Sequence, residues 1–423
     1  MRILLLVDCY YPSTKSSAKL VHDLAAELAS RGHEPVVLTP SELIRQRIEI
    51  TEEDGITVAR VRTGRIKGAR KLQRGFREAR LSGVIWSAAN RFLNAHPCEL
   101  VLFYSPTIFF GPLVEKLKRM WNCPSYMILR DIFPEWAADA GVLRRGLIYR
   151  YFKGVARRQY LAADLIAVQS PANLGYFSRN FPQNNFRLEV LYNWTASSEK
   201  DLPRTTYRDR LGLNGKIVFL YGGNIGVAQD MDNLMRLARR FEPRNDVSFL
   251  FVGEGTEVSR LQKKIASERI SNVQILEGLS QEEYLAMVSE FDLGLISLDA
   301  RLSTHNIPGK LMSYLFWEMP VLASVNPGND LFECLGESGA GTCVANGDDE
   351  ALYRAAAQLV DDAPARDRMG SAARRLLEER FSVENAADSV FRHLKSHGLL
   401  HRAPELRIEN ASIAPTPEYA ERQ

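Results

Sequence analysis

One lysine in the second half of the chain occupies a position that only a bound anion would favour. Residues 305–315 have the sequence HNIPGKLMSYL, in which Pro308 suits a helix start because its missing N–H costs nothing there. Lys310 and Ser313 are three residues apart and share a helix face. A cation near a helix N-terminus is unfavourable unless an anion binds there. Lys310 is therefore either a solvated surface lysine or part of a phosphate-binding site.

Two glycine-rich turns each follow an apolar run that is typical of a buried strand. Residues 217–226 have the sequence IVFLYGGNIG, and residues 249–255 have the sequence FLFVGEG. Glycines permit close backbone approach, and the free N–H groups of a following helix attract a diphosphate. Neither turn matches GxGxxG or the Walker motif, so each is either a diphosphate site or an ordinary tight connection. The candidate residues are Gly222, Gly223, Asn224, Gly226, Gly253 and Glu254.

The first half of the chain carries polar residues after two strand-like runs. Arg130 and Asp131 close one run, and Glu135 follows shortly afterwards. Ligands bind outside the carboxyl ends of parallel strands, so Asp131 is a candidate for contact with a substrate. The alternative is a structural ion pair between Arg130 and Asp131. After the first run, Ser16 and Ser17 either let a substrate approach a helix start or simply cap that helix.

The elements that must position these residues alternate between strand and helix. The strand-like runs lack polar alternation, which is typical of parallel strands covered on both faces. They occupy residues 3–7, 35–39, 100–104, 126–129 and 165–168, and then 217–221, 247–252, 273–276, 293–297 and 321–324. We therefore predict an α/β protein with two doubly wound, Rossmann-like parallel-sheet domains that face a cleft.

A polar break near residue 200 divides the chain. We predict a first domain over 1–198, a second over 199–378, a helix over 379–398 that packs back on the first domain, and a mobile tail over 399–423. The length of 423 residues suits two or three domains. With 45% hydrophobic and 25% charged residues, the composition excludes a largely disordered, collagen-like or coiled-coil chain.

Five scattered cysteines form no CxxC pair. This argues against a disulfide framework or a zinc site and favours a reducing compartment. The apolar start of the chain is too short for a secretory signal, and no run of 18 apolar residues predicts a membrane-spanning helix. We therefore expect the protein in the cytoplasm.

The net charge of +3 is the sum of a basic first half and an acidic second half of the chain. Residues 1–200 contain 29 Lys and Arg against 18 Asp and Glu, whereas residues 201–423 contain 25 against 33. Residues 60–91 and 143–160 interleave basic with aromatic and aliphatic residues, which suits an anionic membrane surface. A solvated helix face and a nucleic-acid site are the alternatives. The predicted membrane contacts are Arg70, Arg74, Arg77, Arg144 and Arg145.

The order and spacing of these segments resemble the retaining nucleotide-sugar transferases of glycosyltransferase family 4, which have the GT-B fold. The resemblance rests on residues 221–226, 249–255 and 307–314 and on the sequence RDIFPE at 130–135. It extends from the first strand to residue 395. Within the family, the chain is most similar to bacterial enzymes that add N-acetylated deoxyamino sugars, such as fucosamine, to lipid-linked precursors of surface polysaccharides.

The resemblance implies a set of donor contacts. The family usually has a Glu-x7-Glu motif whose second Glu holds the ribose of the nucleotide, and His305 and Ser313 stand at those positions here. Ser313 is therefore the candidate ribose ligand, and the Pro308-x-Lys310 form is a variant of the fucosamine-type branch. The remaining implied contacts are Lys310 and Arg301 on the diphosphate, and Gly278 and Leu279 beside the nucleobase.

The function that the resemblance implies is a metal-independent, retaining transfer from a UDP-sugar to a lipid-linked saccharide in O-antigen, capsule or exopolysaccharide synthesis. Lys310 and the backbone amides of residues 223–226 would stabilise the leaving diphosphate. Asp131, beside Arg130, would contact the acceptor hydroxyl or the donor sugar, with Glu135 near the acceptor. No protein nucleophile and no cofactor beyond the nucleotide-sugar co-substrate are expected.

The expected partners are thus the nucleotide-sugar donor, the lipid-linked acceptor and the inner face of the cytoplasmic membrane, with peripheral association and no nucleic acid. Two other functions stay open. A UDP-sugar 2-epimerase of GT-B fold would convert the donor without an acceptor. A nucleic-acid-binding protein would use the basic first half and show strongly salt-dependent binding, but no recognised nucleic-acid module is present.

Overall fold

The structure is a computed structural model that describes residues 1–13, 15–64, 78–196 and 202–400 of the chain, apart from the side chain of Ser16. Three of the predicted membrane contacts, Arg70, Arg74 and Arg77, lie outside these ranges, and so does the predicted tail beyond residue 400.

The first domain contains an eight-stranded sheet. Its strands are β1 (Arg2–Leu6), β2 (Glu34–Ser41), β3 (Ile48–Glu53), β4 (Ile56–Arg62), β5 (Leu100–Tyr104), β6 (Ser125–Ile128), β7 (Leu165–Val168) and β8 (Leu188–Val190). They lie in the order β3-β4-β2-β1-β5-β6-β7-β8. Neighbouring strands are parallel except β3 and β4, which form an antiparallel hairpin at one edge. The described helices of this domain are α1 (Ser16–Ser30), α2 (Leu81–Ala95), α3 (Gly111–Trp121), α4 (Glu135–Asp139), α5 (Leu147–Ala162) and α6 (Leu174–Asn180).

The second domain contains a six-stranded parallel sheet. Its strands are β9 (Ile217–Gly222), β10 (Val247–Val252), β11 (Val273–Leu276), β12 (Leu293–Ser297), β13 (Val321–Val325) and β14 (Gly341–Ala345), in the order β11-β10-β9-β12-β13-β14. Its described helices are α7 (Tyr207–Arg210), α8 (Met231–Arg240), α9 (Val258–Glu268), α10 (Gln281–Val288), α11 (Lys310–Phe316), α12 (Leu331–Ser338), α13 (Asp349–Asp361) and α14 (Ala363–Leu376).

The central strands are buried on both faces, which is why their sequences lack polar alternation. In β5, Val101 and Phe103 pack into the core on one side of the sheet, whereas Leu100, Leu102 and Tyr104 pack into the core on the other side. Helices cover both faces, as the uninterrupted apolar runs predicted. The predicted fold class, two parallel α/β domains, is confirmed.

A last helix, α15 (Val383–Ser396), returns to the first domain after a π-helical turn at Leu377–Phe381. Its residues Val390 and Leu394 share a core with Leu24 and Leu28 of α1. At the crossing, Thr195 pairs with Ser382 through an isolated parallel bridge. The chain therefore passes between the domains a second time at this point.

The loops after the strands of the two sheets meet at a cleft. Asn306, which lies between β12 and α11, donates a hydrogen bond to Asp131 after β6 at 3.1 Å. The hydroxyl of Ser170, after β7, donates to the carbonyl oxygen of His305 at 2.8 Å. The carboxyl ends of both parallel sheets thus face each other, which is where ligands bind in such sheets.

Candidate functional site

Lys310 is the first residue of α11, and Tyr314 fixes how this helix packs on the second sheet. The Tyr314 hydroxyl lies 3.1 Å from the carbonyl oxygens of both Leu220 and Leu295. It also accepts a hydrogen bond from the N–H of Gly222 at 3.2 Å. Because these contacts sit at the end of β9, the start of α11 lies beside the glycine turn that follows this strand.

The ammonium group of Lys310 lies against an aromatic ring. Its Nζ is 4.2 Å from the centre of the Tyr221 ring and 3.2 Å from the Tyr221 hydroxyl oxygen. No carboxylate within the described ranges forms an ion pair with it, and burial lowers its pKa to about 7. A solvated lysine would keep its ordinary pKa near 10.4. This environment favours a site for an anion over a surface lysine.

Close packing explains why glycine stands at Gly222 and Gly253 of the two turns, but not at Gly223. A Cβ on Gly253 would lie 1.8 Å from the carbonyl oxygen of Gly223, and a Cβ on Gly222 would lie 1.8 Å from the Tyr284 hydroxyl. Tight turns therefore require both of these glycines. Gly223 differs, because it is exposed, its φ is +104°, and the nearest atom to its Cβ position is Cε of Lys310 at 3.9 Å. Its open side faces Lys310, so a ligand bound to the lysine can approach the backbone here.

Three of the four backbone amides of residues 223–226 are engaged within the protein, which corrects one expectation in part. Three N–H groups donate at 2.8–3.2 Å: Gly223 to Val252, Ile225 to Glu254, and Gly226 to the side chain of Gln229. They hold the turn together and are not free to bind a leaving diphosphate. The prediction of an anion site therefore depends more on the charge of Lys310 than on these three amides.

The other predicted donor-binding residues surround this turn. Asn224 is exposed and donates to the side chain of Gln229 at 2.9 Å. The loops after β10 and β11 are adjacent, because a Cβ on Gly278 would lie 3.1 Å from Cγ of Glu254. Leu279 is partly buried beside them. Their contacts with a nucleotide stay predictions.

Arg301 is bound to an acid of its own loop. Its guanidinium donates to both oxygens of Asp299, at 2.9 Å from Nε and 2.5 Å from Nη2, and these bonds raise the pKa of Arg301. Arg301 is thus already paired, unlike Lys310. Ser313 lies about one helical turn after Lys310 on α11, and Pro308 precedes the N-cap residue Gly309; both Ser313 and Pro308 are partly buried.

Two carboxylates lie at the carboxyl edge of the first sheet. Asp131 follows β6 and accepts the bond from Asn306. Burial raises the pKa of Asp131; Arg130 opposes this shift and Asp8 adds to it. Asp8 follows β1, and its pKa is also raised by burial. Its Oδ1 atom is shielded from solvent and has no hydrogen-bond partner within the described ranges. Asp8 was not predicted, although an acid directly after the first parallel strand was the signal that could have identified it.

Arg130 does not point into the cleft, which corrects its predicted catalytic role. It is 4% exposed, and its guanidinium donates to the carbonyl oxygens of Leu191 at 2.9 Å and Tyr192 at 3.1 Å. The guanidinium carbon also lies 5.2 Å from the centre of the Trp194 ring. Arg130 holds the segment that leads to the second domain, and it forms no direct ion pair with Asp131 within the described ranges.

Glu135 is likewise a structural residue and not an acceptor contact. It is 5% exposed, and its carboxylate accepts bonds from the hydroxyls of Tyr149 at 2.6 Å and Tyr176 at 3.2 Å. Lys153 forms an ion pair with it at 3.0 Å. These contacts join α4, α5 and α6, so the oxygens of Glu135 are already satisfied.

The predicted acceptor loop gives a mixed result. Helix α1 begins at Ser16 after the N-cap residue Lys15, so neither Ser16 nor Ser17 stands at the N-cap position that the serine-cap interpretation required. The hydroxyl of Ser17 lies 3.0 Å from the Cys9 sulfur. The described ranges contain no group of three His, Cys, Asp or Glu side chains arranged to hold a metal ion.

A surface of apolar and basic residues borders the cleft at the start of α5. Its exposed large apolar residues are Val142, Leu147, Ile148 and Tyr151. Together with Arg144 and Arg145 we call it the α5 surface. Asp139 accepts from Arg145 at 2.5 Å and from the N–H of Ser303 in the second domain at 2.9 Å, so the α5 surface adjoins the cleft. Within the described ranges, no helix combines the length and apolar character needed to cross a membrane.

Family models match both domains. The model "Glycosyl transferase 4-like domain" matches residues 17–194, and the model "Glycosyl transferases group 1" matches residues 203–376. Fold and cleft therefore define a two-domain protein of the GT-B class. More particularly, the chain belongs to the glycosyltransferases that combine these two domains, as the sequence resemblance indicated.

Curated relatives are similar over part of their length. The chain is 25% identical over 266 residues to the probable glycosyltransferase WbjE of Pseudomonas aeruginosa, covering 60% of this chain and 64% of that protein. It is 23% identical over 222 residues to the putative colanic acid biosynthesis glycosyl transferase WcaI of Escherichia coli K12, covering 50% and 53%. It is 24% identical over 196 residues to the alpha-D-kanosaminyltransferase of Streptomyces kanamyceticus, covering 46% and 49%. The chain thus spans from about half to just under two thirds of these relatives.

Solved structures share the fold over nearly the whole chain. Sucrose-phosphate synthase from Thermosynechococcus elongatus has a TM-score of 0.73 at 14% identity, covering 94% of this chain and 100% of that one. Anabaena HepE in complex with UDP-glucose has a TM-score of 0.68 at 15% identity, with coverage of 94% and 100%. At such identities the likeness concerns the GT-B fold.

Proposed function

We propose that this protein transfers a sugar from a nucleotide diphosphate sugar, specifically a UDP-sugar, to a lipid-linked saccharide, with retention of anomeric configuration. The observation that carries the proposal is Lys310, a desolvated cation that has no acidic partner among the described residues and lies beside the open side of Gly223. Anabaena HepE, which has a similar fold, binds UDP-glucose. The probable and putative glycosyltransferase relatives support the class of reaction.

Lys310 acts on the leaving group in this proposal. A bound diphosphate supplies the negative charge that the site lacks, so the lysine becomes fully protonated on binding. As the bond between the sugar C1 and the phosphate oxygen breaks, negative charge grows on the diphosphate, and Lys310 stabilises it. A preorganised donor of this kind commonly contributes about 2.7–4 kcal/mol to lowering the barrier.

The acceptor enters from the side of the first domain. Its hydroxyl oxygen attacks C1 on the face that the diphosphate leaves, its proton passes to the departing phosphate oxygen, and no protein nucleophile or metal ion takes part. Asp131 lies at the carboxyl edge of the first sheet and orients the attacking hydroxyl. Asn306 holds one oxygen of Asp131 and thereby directs the other.

The donor sugar in this proposal is an N-acetylated deoxyamino sugar of the fucosamine type. One relative is named an alpha-D-kanosaminyltransferase, and kanosamine is also an amino sugar. Another relative is named for the biosynthesis of colanic acid, a polysaccharide. The product is accordingly a precursor of an O-antigen, capsule or exopolysaccharide.

The acceptor is presented at an anionic membrane surface on the cytoplasmic side, to which the protein binds peripherally. The α5 surface supports this proposal, because exposed Leu147 and Ile148 stand next to Arg144 and adjoin the cleft. Apolar side chains enter the headgroup region, and each basic residue contributes about 1 kcal/mol near an anionic surface.

Transfer is tested with the full chain, a panel of nucleotide diphosphates in a thermal-shift assay, and mass spectrometry of reactions with lipid-diphosphate saccharide acceptors. We expect UDP to stabilise the protein and a UDP-amino sugar to be consumed when acceptor is present. Lys310→Ala should reduce transfer by roughly 100-fold or more, while Lys263→Ala, an exposed lysine of α9, should not. Conversion of the donor without acceptor would instead indicate an epimerase.

A further inference from the structure

Two buried amides of the first domain converge on one carbonyl oxygen of the second domain. Asn193 donates its Nδ2–H to the carbonyl oxygen of Ile307 at 3.0 Å, and Gln169 donates its Nε2–H to the same atom. Both side chains are 4% exposed, and Ile307 is fully buried. Ile307 is three residues before Lys310, so this carbonyl lies where the chain turns into α11.

The neighbouring residue of the same segment is held in the same way. The carbonyl oxygen of His305 accepts from the Ser170 hydroxyl at 2.8 Å and from the Asn173 amide at 2.6 Å. The N–H of His305 donates to Oδ1 of Asn173 at 2.9 Å. With the bond from Asn306 to Asp131, residues 305, 306 and 307 are each fastened to the first domain.

The side chain of Ile307, in contrast to its carbonyl oxygen, contacts the second domain. It packs in the core of the second domain together with Leu311 and Leu315 of α11. The backbone of this residue is therefore fixed by one domain and its side chain by the other. Pro308 follows directly, and its ring restricts φ. Only Pro308 and Gly309 therefore separate the held carbonyl from Lys310.

We infer that Gln169 and Asn193 are positioning residues that place Lys310 against the glycine turn, so the acceptor-side domain helps to build the donor site. The inference rests on the proposed role of Lys310 in binding the donor diphosphate. A plain alternative is that the amides only hold the two domains together. The two interpretations predict different hydration of the Lys310 ammonium group when the amides are removed.

Loss of both amides leaves a buried carbonyl oxygen without a partner, which the segment relieves by moving toward water. Lys310 then moves with it and becomes hydrated. The titratable group that contacts Nζ is Tyr221, and burial raises the pKa of its hydroxyl, which keeps the ring uncharged. A shift in the pKa of Lys310 therefore reports a change in the hydration of its ammonium group. Domain contacts that are merely weakened would not alter the surroundings of this one ammonium group.

The test uses the double variant Gln169→Met, Asn193→Leu, in which the substitutes have similar shapes but donate no hydrogen bond. Asn272→Leu is the matched control, because Asn272 is also buried, donates to a carbonyl oxygen (that of Ala238, at 2.8 Å) and has an unpartnered Oδ1. Lys310 is titrated through its rate of acylation against pH, measured by mass spectrometry. UDP affinity and the split between kcat and KM are measured in parallel.

We expect Lys310 to titrate near pH 7 in the parent chain and in Asn272→Leu. In the double variant, the titration should move upward by about one pH unit or more, and UDP affinity should fall about threefold or more. An unchanged Lys310 titration in a folded double variant would overturn the inference, and the single variant Asn193→Leu provides the same readout if the double variant does not fold. Failure of Lys310→Ala to alter UDP binding would refute the donor role instead, without affecting the labelling result.

Discussion

Nζ of Lys310 lies 3.2 Å from the hydroxyl oxygen of Tyr221 and 4.2 Å from the centre of its ring, and it has no acidic partner in the described part of the chain. An aromatic face attracts a cation but does not replace the water that burial removes. The result is a lysine that is only partly charged at neutral pH. A bound anion stabilises the protonated form of such a lysine, which the protein alone disfavours. The interaction of the anion with this lysine is therefore stronger than with a solvated lysine.

Binding of UDP should weaken as pH rises above about 7. The pKa of free Lys310 is about 7, so at higher pH the lysine must take up a proton before it can pair with the diphosphate. The affinity should fall by up to about tenfold per pH unit until the pKa of the complex is reached. Phosphate groups with a pKa near 6 are already ionised in this range and add little to the slope.

Isothermal titration calorimetry of UDP between pH 7 and pH 9.5 measures this slope. Lys310→Ala should bind UDP more weakly with little dependence on pH, and Lys263→Ala should behave as the parent chain. An affinity of the parent chain that stays constant from pH 7 to pH 9 would contradict the role of Lys310.

Replacement of Lys310 by methionine should stabilise the fold below neutral pH. The pKa of Lys310 is lower in the folded chain than in the unfolded chain, where it is near 10.4. Between these two values the unfolded chain binds more protons, so the free energy of unfolding of the parent rises with pH across this window. Lys310→Met should be more stable than the parent by roughly 2–4 kcal/mol at pH 6. The difference should vanish near pH 10.5.

Urea denaturation at pH 6, 8 and 10 measures these free energies, with Lys263→Met as the control for loss of an exposed lysine. A stabilisation that is independent of pH would point to improved packing in place of relief of a buried charge.

The fold could be predicted from the sequence because its signals are local. The runs LVLFY in β5 and VSFLFV in β10 are short and almost wholly apolar, with several β-branched and aromatic residues, which favours strands covered on both faces. Four strands, β3, β4, β8 and β14, were not among the predicted runs. The antiparallel edge strand β3 was missed because its residues are mostly half-exposed and its sequence, IEITEE, alternates like a surface segment.

The candidate site was predictable in part. Position after a strand suggested Asp131, whose role stays a prediction. It also suggested Arg130 and Glu135, whose side chains are bound elsewhere in the fold, because sequence gives the strand end but not the direction of the side chain. Arg130 turns back to the carbonyls of Leu191 and Tyr192, some 60 residues away along the chain. The roles of Gln169 and Asn193 could not be predicted from the sequence. A single amide in a loop shows no pattern, and its contacts with the other domain exist only in the folded chain.

Asp131→Asn should reduce turnover more than donor affinity. The amide keeps the shape of the side chain and the contact with Asn306. It replaces the oxygen that, in the proposed reaction, accepts a bond from the acceptor hydroxyl. We expect kcat to fall about tenfold or more while the Kd for UDP changes less than about twofold. Asp8→Asn, measured beside it, shows whether the second carboxylate at this edge shares the task. An unchanged kcat in Asp131→Asn would remove Asp131 from the reaction.

The α5 surface should bind anionic vesicles. Leu147, 82% exposed, and Ile148, 64% exposed, gain from insertion among headgroups, and Arg144 gains from the negative surface potential. Leu147→Ser, Ile148→Ser and Arg144→Glu together should lower the bound fraction on vesicles with anionic lipid by about tenfold, and less on neutral vesicles. Arg354→Glu is the control, because Arg354 is an exposed arginine of α13 in the second domain. Transfer to a water-soluble acceptor analogue should be unaffected by the triple change. Vesicle binding that survives the triple change but is lost in Arg354→Glu would place the membrane contact on the other domain.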